Sequence, residues 1–126
     1  MITPGAQSGY AQNDTTQATQ IARFPITLSG NYGATSPTDT HGDTIDFGKV
    51  YGIQSQSVPI RVFVYQQPAS GTAPGNCTAT FCPGTTIHNG VISFANAGTE
   101  LTRGIAYTGA AAAAVWVVEA VFSTFV

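Results

Sequence analysis

Val115-Trp116-Val117-Val118-Glu119-Ala120-Val121-Phe122-Ser123-Thr124-Phe125 is the stretch on which the fold turns. Val115, Val117, Glu119 and Val121 alternate with Trp116, Val118, Ala120 and Phe122, so a pleated strand here is mainly apolar on both faces. Such a strand belongs in the middle of a covered sheet. Taken from Gly104 to Val126, the same region approaches the ~20 residues that span a bilayer. Glu119 would then lie in hydrocarbon at considerable cost, no basic residues flank the stretch, and its β-branched content suits a strand. The expectation is a buried central strand and no membrane anchor.

Upstream, Ala110 to Ala114 is helical by propensity but lies between Gly109 and the β-branched run, so a helix, a linker or a strand start all remain open. Glu100-Leu101 reads as a brief extended piece. Thr86 to Phe94 reads as a strand interrupted at Asn89-Gly90 by a hairpin turn or a bulge. Gln67 to Pro83, with three prolines and both cysteines, reads as a protruding loop. In Val58 to Gln66, Val58, Ile60, Val62 and Val64 line one face, and Pro59, Arg61, Phe63 and Tyr65 the other.

Thr44 to Phe47 turns Ile45 and Phe47 inward. Ser29 to Gly42 reads as a long loop. In Arg23 to Leu28, Phe24, Ile26 and Leu28 share a face, and Pro25 predicts a sheet edge because it cannot donate to a ladder. The first twenty residues are polar and aperiodic, and have neither the basic start nor the apolar run of a secretory signal. They read as an arm, either frayed or laid along a neighbouring subunit. The expectation is therefore all-β: an antiparallel β-sandwich or barrel of jelly-roll type, with residues 1–20 as a flexible N-terminal arm and 21–126 as a single β domain.

With 126 residues the chain fits one domain. Its charged fraction is 8%, against about 25% in typical soluble domains. Neutral polar side chains must supply solubility, and such a surface loses little hydration when another protein covers it. Arg23, Lys49, Arg61 and Arg103 are the cations and are scattered, so nucleic-acid binding is not expected. The net charge of −2 offers no patch for lipid headgroups.

Chemistry is sparse. Cys77 and Cys82 are either a disulfide stapling one short loop or two free thiols. With the distant His88 they lack the paired spacing of a structural zinc site. Asp39, His41 and Asp43 form the densest polar stretch, where divalent-metal ligation competes with the ordinary turn-forming bonds of Asp and Thr, and the latter is favoured. The serines lie in no nucleophile elbow, and His88 has no partner nearby in sequence. Glu100 and Glu119 pair as glycosidase carboxylates only as any two acids do, with Glu119 also placed to meet Arg61 or Arg103. The expectation is no enzyme, no metal and no cofactor.

Gly42-Asp43-Thr44-Ile45-Asp46-Phe47, Val58-Pro59-Ile60-Arg61-Val62-Phe63-Val64, Pro83-Gly84-Thr85-Thr86, Asn89-Gly90-Val91-Ile92 and Ala97-Gly98-Thr99-Glu100-Leu101, followed by the apolar last strand, together resemble small capsid decoration (cement) proteins of tailed bacteriophages. The resemblance covers residues 22–126, while the Cys77–Cys82 loop and the alanine run depart from it. It implies a virion protein, made in the host cytoplasm, that binds the exterior of an icosahedral head as a trimer or dimer and bridges major capsid protein subunits. On that reading Tyr10, Tyr32, Tyr51 and Tyr107 are exposed interface anchors. The alternative is a carbohydrate-binding or host-attachment module with Tyr65 or Phe81 on protruding loops.

Overall fold

The computed structural model describes residues 1–7, 12–14, 19–35, 42–53, 57–67 and 75–123. The chain runs β1 (Ile2–Pro4), β2 (Gln12–Asp14), β3 (Thr19–Leu28), β4 (Asp43–Ile45), β5 (Arg61–Gln66), β6 (Cys77–Cys82), β7 (Gly90–Asn96), β8 (Thr99–Glu100), α1 (Gly109–Ala113) and β9 (Trp116–Ser123). Among the described residues all strand pairings are antiparallel. One sheet has five strands, with β1, β3, β9 and β5 side by side and β2 also on β3; the other has four, with β4, β7 and β6 side by side and β8 on β7. The all-β expectation holds.

The valine-rich stretch is the central strand that its alternation requires. β9 pairs with β3 from Thr19 to Ile26 and with β5 from Arg61 to Gln66. Register sets Phe24, Val118 and Val64 in one row and Ala22, Ala120 and Val62 in the next, all turned toward the second sheet. Trp116, Val118, Ala120 and Phe122 are no more than 2% exposed. Ile45, Ile92, Phe94 and Cys77 meet them from the second sheet. Phe47 lies in a short 3-10 turn outside the strands and plugs the space between the layers, its ring edge-on to Phe24, Phe81 and Phe122. Among the described residues no helix is long and apolar enough to cross a membrane.

Several expectations are corrected. Pro25 does not mark an edge, since β3 has neighbours on both sides. The Pro25 carbonyl accepts from the Gly5 amide at 2.8 Å. A strand residue directs its N–H and C=O to the same side, so the missing donor faces the end of β1 and leaves the β9 ladder intact. The arm over residues 1–20 is replaced in part by structure: β1 and β2 pair with the two ends of β3, and Ile2 is buried in the core. Residues 8–11 and 15–18 lie outside the described set.

The Gln67–Pro83 excursion contains a strand, β6. Cys77 and Cys82 sit at its two ends, one buried and one exposed, and both are free thiols. At about 3.3 Å per residue they are far beyond the roughly 7 Å Cα separation that a disulfide tolerates. Asn89-Gly90 is neither a hairpin turn nor a bulge. The Asn89 side chain accepts from the Thr86 amide and donates to Thr85 Oγ1, closing a turn from which β7 departs. The alanine run resolves as a short helix, fastened by the Trp116 indole donating to the Ala111 carbonyl at 2.9 Å.

Candidate functional site

Asp46 leaves β4 and caps the 3-10 turn, its Oδ1 accepting from the Gly48 amide at 2.8 Å. The same oxygen lies 2.7 Å from His88 Nδ1, which arrives from the turn before β7. Gly48 is needed for this approach, since a Cβ there would stand 2.5 Å from His88 Cε1. The carboxylate orients the imidazole with its Nδ1 toward Asp46. His88 and Asp46 line an open cleft of about 430 Å³ together with Met1 to Pro4, Thr35, Thr44 and Lys49. The turn carrying Lys49 then projects Tyr51, which is 95% exposed.

Beneath the cleft is a buried acid. Asp43 has no exposed surface. Its Oδ1 accepts from the Thr35 amide at 3.1 Å and the Thr35 hydroxyl at 2.8 Å, and its Oδ2 accepts from the Tyr107 hydroxyl. The Met1 ammonium stands 3.6 Å from Oδ2. Burial alone would push this carboxyl up, but the bonds from Tyr107, Thr35 and Gly33 outweigh it and hold its pKa below the ordinary value. Burial, and then the bond to Asp43, pushes the Tyr107 phenol above its usual range. Tyr32, edge-on to Tyr107, donates to Glu100 Oε1 at 2.8 Å and accepts from the Phe94 amide at 3.3 Å; burial and Glu100 raise its pKa as well.

This network ties the 32–35 and 103–107 segments to β4 and β7. Thr44 completes it, its amide donating to Thr35 Oγ1 and its hydroxyl to the Thr35 carbonyl. The Thr35 and Thr44 hydroxyls are thus committed to structure, and the cleft offers an imidazole, an ammonium and a carboxylate for docking a polar group. Asp43 makes the bonds to Thr35 that a turn-forming role requires, while Asp39 and His41 lie outside the described residues. Among the described residues no group of three His, Cys, Asp or Glu could hold a metal.

Of the four tyrosines expected as surface anchors, only Tyr51 is shown exposed. Tyr32 is fully buried and Tyr107 half-buried, because each hydroxyl is drawn inward by a carboxylate. Tyr10 lies outside the described residues, as do Asp39 and His41. Tyr65 and Phe81 are on strands rather than loops: Phe81 packs on Phe47, and Tyr65 lies under the Arg23 guanidinium, 5.8 Å from the ring centroid. Glu100 and Glu119 lie in different sheets, and the register neighbours of Glu119 are Arg23 and Phe63. Arg103 instead donates to the Gly33 carbonyl.

The dyad escaped sequence reasoning because 42 positions separate its members. The one local signal was Asp46-Phe47-Gly48, an Asp two before a Gly in a strand-ending turn. Comparison with protein-family models, curated proteins and solved structures finds no match for this chain.

Proposed function

We propose that the chain is a capsid decoration protein: a non-catalytic homo-oligomer, without cofactor, that docks on the exterior of an icosahedral phage head and bridges major capsid protein subunits. The observation that carries the proposal is Tyr51, 95% exposed two residues beyond Lys49 on a chain whose charged fraction is 8%. An exposed aromatic is costly to leave in water and is a frequent anchor of protein contacts, and a surface poor in charge overall loses little hydration when covered. The strand order supports the jelly-roll form of the fold. β3, β9 and β5 lie side by side opposite β4, β7 and β6, so β3 and the last strand are neighbours and the chain alternates between the sheets from β3 to β6. That form serves viral shells and lectins alike, so the surface rather than the fold separates the two readings.

The lectin alternative loses Tyr65 and Phe81, which are packed on strands. On a shell, modest contacts repeated across a lattice add up through multivalency. The test is co-sedimentation of the purified chain with heads assembled from the major capsid protein encoded nearest to it. Saturable binding in a fixed ratio to capsid subunits, weakened about tenfold or more by Tyr51→Ala, is expected. Absence of binding to the heads, or retention on a glycan array instead, would refute it.

A further inference from the structure

Both sheets end on the same side of the molecule, the first at β5 and the second at β6. The Gln66 side chain spans the gap between them, its Nε2 donating to the Gly75 and Cys77 carbonyls at 2.9 and 3.1 Å. β6 reads Cys77-Thr78-Ala79-Thr80-Phe81-Cys82 and pairs with β7 in unbroken register from Cys77↔Asn96 to Cys82↔Val91. It carries no charge, no proline and no bulge, the devices by which natural edge strands discourage pairing with another chain.

The backbone of β6 also has the right phase. Phe94 turns its polar groups away from β6, its carbonyl accepting from Leu101 and its amide donating to Tyr32. Ser93 and Ala95 therefore bond toward β6, which engages the amides and carbonyls of Thr80 and Thr78, their register partners. By alternation, Ala79 and Phe81 direct theirs outward from the sheet edge. Thr78, Thr80 and Cys82 are exposed on the face away from the core.

We propose that β6 pairs antiparallel with β6 of a second copy of this chain, about a two-fold axis passing beside Thr80, to join two four-stranded sheets into one. The self-complementary register follows from the phase: Ala79 bonds with Phe81 of the other copy and Phe81 with its Ala79. Thr80 then faces its own counterpart, a favourable cross-strand pair, and Thr78 faces Cys82. An axis at this position uses every outward backbone group of Ala79 and Phe81, whereas a slip by one residue uses none of them. The inference rests on the oligomeric part of the proposed function and not on the capsid part.

The experiment is analytical ultracentrifugation of the purified chain across about 1 to 200 μM under reducing conditions, a range that brackets modest self-association. A monomer–dimer equilibrium is expected. Thr80→Lys sets two like charges opposite one another and weakens the dimer at least about tenfold. Ala79→Pro removes an outward donor while sparing the β7 ladder, and acts in the same direction. Under oxidising conditions Thr78→Cys cross-links to the native Cys82 of the other copy, and Thr80→Cys in a Cys82→Ser background cross-links to itself. A monomer throughout the range, a dimer indifferent to Thr80→Lys, or Thr80→Cys cross-linking no faster than the exposed control Thr102→Cys in that background would each overturn the pairing. The cross-linking arm decides the matter should Ala79→Pro misfold. A dimer that ignores capsids would instead count against the proposed function alone.

Discussion

Ala97 has a φ of 50°, the one non-glycine positive value among the described residues, and Gly98 follows at 83°. Register pairs Asn96 with Thr99, so these two form the centre of a two-residue hairpin turn whose geometry requires positive φ at both positions. An L-residue in this region costs about 1–2 kcal/mol, less for Asn, whose side chain bonds locally. Ala97 is exposed, and Ala97→Asn is expected to stabilise the fold by about 0.5–1 kcal/mol, measured by urea denaturation. The hairpin at Ala97-Gly98 was not read from the sequence, because an alanine holds the first position where Asn or Gly would signal this turn type. The cleft was harder to see for another reason: Asp46 and His88 meet only once β4 and β7 pair, and no local spacing encodes a tertiary contact.

Among the elements, β9 was legible because alternation on both faces is a property of its own residues. β6 was obscured by the glycines and prolines around it, although Cys77, Ala79 and Phe81 alternating with Thr78 and Thr80 carried the two-residue period. The N-terminal strands were not legible, since three-residue strands hold too little pattern and gain order only from the partner they join. Two predictions belong here. Val118→Ala, at a fully buried position between Phe24 and Val64, should cost about 2 kcal/mol. Val115→Ala, just outside the strand and 54% exposed, should change stability by no more than about 0.5 kcal/mol. Equal losses in thermal melts would mean that β9 starts earlier. Removing residues 1–6 strips β1 and the buried Ile2 from β3, and should lower stability by about 2 kcal/mol or more rather than leave the fold untouched.

For the molecule as a whole, with 6 acidic and 4 Lys or Arg residues, the pH dependence of stability is dominated by a few buried groups. Asp43 has its folded pKa held below the unfolded value, so its contribution is complete above about pH 4 and is lost as the pH falls below that. Tyr32 and Tyr107 have folded pKa values raised above the unfolded ones, because burial and neighbouring carboxylates disfavour the phenolate. Their contribution is complete below about pH 10 and is lost as the pH rises beyond it, where the unfolded chain releases protons that the folded chain retains. A plateau between two limbs is expected in urea denaturation followed through Trp116, the single tryptophan, packed edge-on to Phe94. Tyr107→Phe distinguishes this account from a general effect of net charge. It should lower the plateau by about 1.5–3 kcal/mol, the usual worth of a hydrogen bond to a charged group. It should also flatten both limbs at once, since one hydroxyl both depresses the Asp43 carboxyl and titrates in its own right. A variant that shifts the plateau and leaves both slopes unchanged would show that the Asp43–Tyr107 bond does not govern the pH response.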